Sequence, residues 1–317
     1  MQDYDVFNGD ADGICALTQY RLAHPAEATL VTGVKRDIAL IKQIEANPGD
    51  QIVVLDISLD KNRDGLVKVL EQGATVFYAD HHFAGEIPSS DRLTTAINTA
   101  PDICTSILVN QHIGGNFKLW AVAGAFGDNL DESARKLGRE FDETSLDIAK
   151  RLGTYINYNG YGKSLDDLHF APADLYRKVS VHDSPVAFVH DDPATFEQLE
   201  AGYTDDMAAA QGARSLRITP NSAAFVLPDE KWARRVSGVY SNGLARQNPD
   251  RAHAVLTERA DGTYLVSVRA PLNNKTGADD LCRSFPTGGG RKAAAGINAL
   301  PADLLDRFLE QLDASYA

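Results

Sequence analysis

The chain has 317 residues, of which 44% are hydrophobic, and its 44 acidic and 31 basic side chains give a formal net charge of −13. This length favours about two domains of roughly 150 residues each. The acidic balance argues against non-specific binding of duplex nucleic acid through a basic surface. It leaves room for a phosphate-bearing substrate, because a bound divalent cation inverts the local charge.

No targeting or disulfide pattern is visible. Cys15, Cys104 and Cys282 are far apart and form neither a disulfide framework nor a thiolate zinc motif. No apolar run approaches the ~20 residues of a membrane span, and the acidic amino terminus argues against a signal peptide. We therefore expect a cytoplasmic protein that has reduced, buried cysteines and no membrane attachment.

Short β-rich runs alternate with helical patterns over the first 130 residues. The predicted strands are 4–7, 29–32, 51–55 and 74–79, and the predicted helices are 14–22, 38–44 and 65–72. Because these strands are rich in Val and Ile and do not alternate in polarity, we predict a mostly parallel, doubly wound α/β sheet. Ligands of such sheets bind at the carboxyl ends of the strands, near a reversal of strand order.

The remaining chain predicts a helical flank, a linker and a second domain. The flank has helices at 132–137 and 145–152 and a structured loop at 155–161, and a connecting helix is expected at 201–216. Strands at 224–227, 253–257 and 264–269, a hairpin turn at 260–263 and a helix at 305–312 follow. We predict a first domain at 1–190, a helical linker at 191–221 and a smaller α/β domain at 222–317.

Acidic side chains and a histidine pair follow the predicted elements of the first domain. They are Asp10, Asp12, Asp56, the triplet Asp80-His81-His82, and Asp128. Gly9 and Gly13 let the first loop turn tightly. Alone, each motif could be a solvated turn, a helix cap or a surface pair. Together they predict a centre for Mn²⁺ or Mg²⁺, which oxygen ligands with imidazole suit better than a thiol site would. Two such ions can activate water beside a phosphoryl group.

The order of these motifs resembles that of the DHH phosphoesterase superfamily. The matching segments are Asp10-x-Asp12-Gly13, Val54-Leu55-Asp56, Asp80-His81-His82 and Gly127-Asp128-Asn129. Farther along, 267–269 and 288–296 resemble the DHHA1 substrate-binding domain, which separates the chain from family II inorganic pyrophosphatases. The resemblance covers nearly the whole chain. Within the superfamily, the chain most resembles the branch of RecJ-like exonucleases and nanoRNase-type oligoribonucleases.

The resemblance implies a role for each residue that matches a motif. The implied metal ligands are Asp10, Asp12, Asp56, His81 and Asp128, with Asp56 bridging two ions. His82 and Asp56 are the implied catalytic residues, His82 by touching the scissile phosphate or the leaving group. Asp80 and Asn8 are implied to support these groups from behind. The implied substrate-binding residues are Arg269, Gly288, Gly289, Gly290 and Arg291, with the three glycines expected in a loop. A guanidinium fork and glycine N–H groups both suit phosphate oxygens.

Two positions depart from the family pattern. Val6 stands where many members have a histidine ligand of the first ion, so that ion would have few protein ligands, with Asn8 as a helper. Arg291 follows the glycine run where DHHA1 domains usually have histidine. An arginine there favours an anionic or phosphate-ended substrate.

The resemblance implies an enzyme that uses two divalent ions, with Mn²⁺ preferred and Mg²⁺ the alternative. Its expected partner is a short single-stranded oligonucleotide or a dinucleotide, hydrolysed exonucleolytically to nucleoside monophosphates in a cleft between the domains. Eleven Lys or Arg against five Asp or Glu between Lys231 and Gly296 fit a polyanionic ligand. No duplex-binding surface is evident, and a homodimer is compatible with the sequence. The alternatives are a phosphomonoesterase for a nucleoside bisphosphate and a non-catalytic protein that binds a nucleotide or cyclic dinucleotide.

Overall fold

A computed structural model describes residues 2–317 and divides the chain into two compact units, the first ending at Ala201 and the second covering Gly202–Ala317. The first unit contains a five-stranded sheet and the second a six-stranded sheet. Among the described residues, no helix is both long and apolar enough to cross a membrane. Cys15, Cys104 and Cys282 are free thiols and buried, as predicted.

The sheet of the first unit is entirely parallel, which confirms the predicted fold class. Its strands are β1 (Asp3–Phe7), β2 (Thr29–Val31), β3 (Gln51–Leu55), β4 (Thr75–Asp80) and β5 (Leu93–Ile97), in the order β2-β1-β3-β4-β5. Strand β5 was not predicted, because it lies at the edge, none of its residues is fully buried and two of its five residues are Thr. The order reverses between β1 and β3, which is where such sheets bind ligands.

The helices up to Gln211 are numbered in chain order. They are α1 (Ala11–Ala23), α2 (Leu59–Glu71), α3 (Thr105–His112), α4 (Lys118–Gly127), α5 (Asp131–Leu137), α6 (Glu143–Gly160), α7 (Pro172–Val179), α8 (Pro185–Asp191) and α9 (Pro193–Gln211), with 3₁₀ turns at Ile41–Gln43 and Leu165–Asp167. In β3, Ile52 and Val54 face one side and Val53 and Leu55 the other. All four are buried, so both faces of the sheet are covered.

The strand-order reversal places two of the predicted motifs side by side. The backbone N–H of Asn8, just past β1, donates to the carbonyl of Leu55 at the end of β3, at 3.2 Å. The loop that carries Asp10 and Asp12 therefore lies directly beside Asp56. Only the parallel pairing of β1 with β3 brings these segments together, since they are more than forty residues apart in the chain.

Three predicted segments differ in the structure. The helix predicted at 38–44 is wrong, because Asn62 donates to the Ile38 carbonyl and accepts from the Ile41 N–H, which leaves only a 3₁₀ turn. The loop predicted at 155–161 is wrong as well, since α6 continues to Gly160. The connecting helix ends at Gln211 rather than 216, and 214–218, placed in the linker by the sequence, pair with the second sheet as a strand.

The second unit is built around a mixed sheet. Its strands are β6 (Arg214–Ile218), β7 (Ser222–Leu227), β8 (Ala252–Glu258), β9 (Tyr264–Arg269), β10 (Gly288–Arg291) and β11 (Ala294–Leu300), in the order β10-β11-β9-β8-β7-β6. Only β7 and β8 pair in parallel. The helices are α10 (Lys231–Gln247), α11 (Ala278–Arg283) and α12 (Leu305–Ser315), preceded by a 3₁₀ turn at Ala302–Leu304. The predicted hairpin between β8 and β9 is confirmed.

Candidate metal centre

The loop after β1 fixes two carboxylates through backbone hydrogen bonds. Asp10 caps α1, and its Oδ1 accepts from the N–H groups of Asp12 and Gly13 at 3.0 and 3.1 Å. A Cβ at Gly13 would lie 2.2 Å from the Asn8 carbonyl oxygen, so this turn requires glycine. An Asp cap stabilises a helix start by satisfying its free N–H groups. The cap also holds Asp10 in place beside Asp12.

Asp12 is held by the start of another helix. Its Oδ2 and Oδ1 accept from the backbone N–H groups of Thr105 and Ser106, each at 2.7 Å. These are the first residues of α3, where unpaired N–H groups and the helix dipole favour an anion. Sequence reasoning did not find Thr105 or Ser106, since both lie more than ninety residues from Asp12. Their contacts hold the Asp12 side chain in one position.

Asp56 lies just past β3 in a left-handed conformation. Its φ of 60° is uncommon for a residue other than glycine, although Asp tolerates it better than most. The backbone N–H donates to the Ala79 carbonyl at 3.1 Å, and Oδ1 accepts from the Thr105 hydroxyl at 3.1 Å. Strained backbone of this kind is concentrated at functional sites, where the surrounding contacts enforce it.

His81 is the point on which the carboxylates converge. Its Nδ1 lies 3.0 Å from the Ile103 carbonyl, which can only accept, so Nδ1 donates and Nε2 is the ring nitrogen that faces the carboxylates. Oxygens of Asp56, Asp12 and Asp128 lie 3.5, 3.9 and 3.9 Å from Nε2. A metal-ligating histidine usually donates its other ring N–H in this way. Three carboxylates and a correctly oriented imidazole fit one divalent cation.

Asp128 comes to this point from the end of a helix. It is the residue after α4, and the next residue, Asn129, has a φ of 63°. Helix α4 packs closely on α6, because a Cβ at Gly153 would lie 2.0 Å from the Ala123 carbonyl oxygen. The small residues at this crossing hold the last turns of α4 close against α6. They therefore position Asp128.

His82 has a different environment from His81. Its Nδ1 lies 2.7 Å from Oδ1 of the fully buried Asp80 and 3.9 Å from Oδ1 of Asp56. Donor atoms of Asp56, His81 and His82 lie within 4.8 Å of one another, the one such group found among residues 2–317. Because Nδ1 of His82 bonds to Asp80, the Asp12 and Asp128 oxygens are the better additional ligands.

The cluster formed by Asp10, Asp12, Asp56, Asp128 and His81 contains more acidic than basic side chains. Burial, with the neighbouring charges of Asp12 and Asp10, raises the pKa of Asp56 well above its usual range. Burial also raises the pKa of Asp128, against the opposing effect of His81. Crowded buried carboxylates favour the protonated form unless a cation compensates them. The donor set therefore fits a divalent cation electrostatically as well as in its chemistry.

A lysine that sequence reasoning missed contacts the cluster. Lys35 Nζ donates to Oδ2 of Asp10, and to Oδ1 of Asn157 at 2.8 Å. Burial would raise the pKa of Asp10, but the Lys35 ammonium outweighs it and holds this pKa below its usual value. The available signal was position: β2 runs parallel to β1, so the loop after β2 reaches the same edge as Asp10.

Asn8, implied as a supporting residue, contacts the segment that carries Lys35. Its Nδ2 donates to the Lys35 carbonyl at 3.3 Å, and its buried Oδ1 has no partner among the described residues. Asn8 thus helps to hold the segment that carries Lys35.

The predicted substrate-binding residues all belong to the second unit. Arg269 ends β9, where Nε donates to Asn242 at 2.7 Å and Nη1 to the Ser267 hydroxyl at 2.9 Å. The glycine run forms β10, an edge strand paired with β11, and not the predicted loop. Glycine is required there, since a Cβ at Gly290 would lie 2.4 Å from the Ala295 Cα. Arg291 is exposed at the end of this strand.

Comparison with protein-family models and with curated protein sequences gave no match. Comparison with solved structures did. The DHH domain of a protein described as a member of the s1p family of ribosomal proteins has a TM-score of 0.65 at 13% identity, over 99% of this chain and 86% of that one. Mn²⁺-bound RecJ from Thermus thermophilus has a TM-score of 0.61 at 17% identity, over 99% of this chain.

This chain spans 51% of that RecJ, so about half of the larger protein has no counterpart here. A pGpG-specific phosphodiesterase, PggH from Vibrio cholerae, matches over nearly its full length, with 98% of this chain and 99% of that one covered, a TM-score of 0.55 and 13% identity. These similarities confirm the DHH resemblance at the level of the fold.

Proposed function

We propose that this chain is a metal-dependent phosphoesterase of the DHH superfamily that hydrolyses phosphodiester bonds in short oligonucleotides or dinucleotides. One observation carries the proposal: oxygens of Asp12, Asp56 and Asp128 surround Nε2 of His81 at 3.5 to 3.9 Å, at the strand-order reversal of a parallel sheet. Such a reversal is where open α/β sheets bind ligands.

The four converging side chains would hold a divalent cation, with Mn²⁺ preferred and Mg²⁺ as the alternative. Carboxylate and imidazole ligands suit both, and neither needs a thiolate. When bound, the cation supplies Lewis-acid stabilisation of the negative charge that develops on a phosphoryl oxygen. Asp12 is fixed by two backbone N–H groups and His81 by the Ile103 carbonyl, so the ligands are ordered in advance.

His82 is assigned the proton transfer to the leaving oxygen. Asp80 accepts a hydrogen bond from Nδ1, so Nε2 is the ring nitrogen that we assign to the substrate, on an imidazole that is partly exposed. A protonated imidazole held in this way can donate its Nε2 proton to the departing alkoxide, as general acids do. Asp80 acts through His82 and is a positioning residue.

The proposed substrates are short and single-stranded, cleaved from one end to nucleoside monophosphates, as in the nanoRNase-type branch. The overall charge of −13 supports short substrates, since it offers no extended basic track. Two structural relatives are described as an exonuclease and as a pGpG-specific phosphodiesterase, which supports phosphodiester substrates. We assign Arg269, Gly288, Gly289, Gly290 and Arg291 to binding the substrate's terminal phosphate or nucleotide.

A substrate panel with product identification tests the proposal. Dinucleotides, longer RNA and DNA, cyclic dinucleotides, nucleoside bisphosphates and polyphosphate are each incubated with the protein and Mn²⁺. We expect nucleoside monophosphates from the dinucleotides and short RNA. Free phosphate from a bisphosphate alone would indicate a phosphomonoesterase instead. Tight nucleotide binding without turnover of any substrate would indicate a non-catalytic binding protein.

A further inference from the structure

The ammonium group of Lys35 lies inside the cluster of acidic side chains. It donates to Oδ2 of Asp10 and to Oδ1 of Asn157, and these acceptor residues are only 3% and 2% exposed. Asp10 and Asp56 are both buried, and the Asp10 charge acts on the Asp56 carboxyl group. The lysine charge is therefore applied to the Asp10–Asp56 pair, which the DHH resemblance assigns to one of two metal ions.

Asp10 has little capacity left for a metal. Its Oδ1 accepts two backbone hydrogen bonds from α1, and its Oδ2 accepts the ammonium of Lys35. A cation on Asp10 would have to displace the lysine or lie next to it as a like charge. Both alternatives are unfavourable in a buried site, where charges are poorly screened.

The neighbouring backbone fixes Lys35 in this position. The Lys35 N–H donates to the Gly160 carbonyl at 2.8 Å, at the end of α6, and Asn8 donates to the Lys35 carbonyl. The Lys35 side chain is 23% exposed, and its ammonium group reaches the two buried acceptors. Because two backbone contacts and two buried acceptors fix Lys35, this interaction is part of the folded core of the site and differs from an exposed surface ion pair.

A further ligand for an ion on Asp10 is missing at Val6. This side chain is fully buried, belongs to the hydrophobic core, and pairs in register with Val31 and Val54 on the adjacent strands. An aliphatic side chain cannot coordinate a cation. An ion here would therefore depend on Asp10 and Asp56, and Lys35 already engages Asp10, whereas Asp12, Asp56, His81 and Asp128 together fit one ion.

We propose that Lys35 takes the place of one of the two metal ions, so that the centre binds a single divalent cation. This inference rests on the proposed function, and it changes how that function is carried out. Asp10 is a partner of Lys35 and not a metal ligand. The lysine supplies a permanent positive charge at a position where a loosely held ion would depend on the free metal concentration.

Metal stoichiometry tests the inference independently of activity. The whole 317-residue chain is stripped with a chelator, reloaded with excess Mn²⁺ and gel-filtered, and bound manganese is measured per chain, together with the electron paramagnetic resonance spectrum. We expect one ion per chain, with the spectrum of isolated Mn²⁺. Asp10→Asn is expected to keep one ion per chain, since Asp12, Asp56, His81 and Asp128 are all retained.

Removing the lysine charge is the reciprocal test. Lys35→Met keeps most of the side-chain length and frees Asp10, so a second manganese should bind and couple magnetically to the first. Lys42→Ala removes an exposed lysine of the following 3₁₀ turn and should change nothing. One ion in Lys35→Met, equal to wild type, would contradict the role of Lys35.

The outcomes separate the inference from the proposed function. Two coupled ions in the wild type, or loss of an ion in Asp10→Asn, would overturn the single-ion inference and leave metal-dependent hydrolysis intact. No bound ion in the wild type would overturn the proposed function and this inference with it. The wild-type and Asp10→Asn measurements decide the question even if Lys35→Met does not fold.

Discussion

Nδ1 of His82 lies 2.7 Å from Oδ1 of Asp80, which pairs a 41%-exposed imidazole with a fully buried carboxylate. The same ring nitrogen of the neighbouring His81 bonds instead to the Ile103 carbonyl. Two adjacent histidines thus have different partners. His82 combines a carboxylate behind the ring with access to solvent, which is the arrangement expected of a group that exchanges protons with a substrate.

Asp80→Asn should lower kcat while leaving metal binding intact. The amide cannot compensate a charged imidazole, so we expect a loss of about 10–100-fold, as for other supporting partners of functional histidines. His82→Ala should lower kcat more, by about 10²–10⁴-fold, the usual contribution of a general acid. Steady-state kinetics on a dinucleotide, with bound manganese measured alongside, checks both. Equal activity of Asp80→Asn and wild type would contradict the assigned pairing.

Substitutions of Asp56 should separate the effect of its backbone strain on stability from the effect of its charge. Asn tolerates a φ of 60°, whereas Ala does not, so Asp56→Ala should be less stable than Asp56→Asn by about 1–2 kcal/mol. Without metal, Asp56→Asn should be at least as stable as wild type, because it removes one of several crowded carboxylates. Denaturant unfolding of the stripped proteins measures these differences.

Mn²⁺ provides the second readout of the Asp56 variants. At a concentration of 100 times Kd it should stabilise the wild type by about 2.7 kcal/mol. It should have little effect on either variant. Full stabilisation of Asp56→Asn by Mn²⁺ would show that Asp56 is not a ligand.

Gly153→Ala should disturb the helix crossing that positions Asp128. The added Cβ would lie 2.0 Å from the Ala123 carbonyl oxygen, a backbone atom that cannot move alone. We expect a destabilisation of about 1–3 kcal/mol and weaker Mn²⁺ binding. The matched control is Gly243→Ala in α10, where the nearest atom is 4.0 Å away; it should stabilise by about 0.5–1 kcal/mol. Unchanged stability of Gly153→Ala would contradict the close packing.

The second unit should lose stability on mild acidification because of His253. Burial and the Arg251 charge lower the pKa of this histidine to about 4, against 6.5 in an unfolded chain. The unfolded state therefore binds more protons between these values, and stability falls as the pH drops from about 6.5 towards 4, by up to about 3 kcal/mol. Urea unfolding at several pH values measures the slope. His253→Gln should flatten it, and His190→Gln, at an exposed site, should not.

The parallel sheet and the meeting of the strand-end acids at one edge could be predicted because strand periodicity and strand-end acids are local features. Parallel strands bring their carboxyl ends to one edge, so Asp10, Asp56 and Asp80 could be placed together before any coordinates were known. The different partners of His81 and His82 could not be read in the same way. They depend on Ile103, whose carbonyl reaches His81 from another segment.

Lys35 and Asn157 escaped prediction because their roles depend on tertiary contacts between distant segments. Asn157 lies in a polar and aromatic stretch that suggests a loop, yet its side chain is buried against Lys35 at the end of a long helix. The glycine run was predicted to be a loop but forms strand β10, again because of a tertiary contact. Glycine has low strand propensity, and here pairing with β11 overrides it.

Hydrolysis of a dinucleotide by metal-stripped protein, before and after addition of Mn²⁺, tests the central claim most directly. The wild type should release nucleoside monophosphates only after Mn²⁺ is added. His81→Ala should remain inactive at the same metal concentration, because it removes the nitrogen on which Asp12, Asp56 and Asp128 converge. Equal Mn²⁺-dependent hydrolysis by wild type and His81→Ala would contradict the assigned centre. Absence of hydrolysis by Mn²⁺-loaded wild type would contradict the proposed activity.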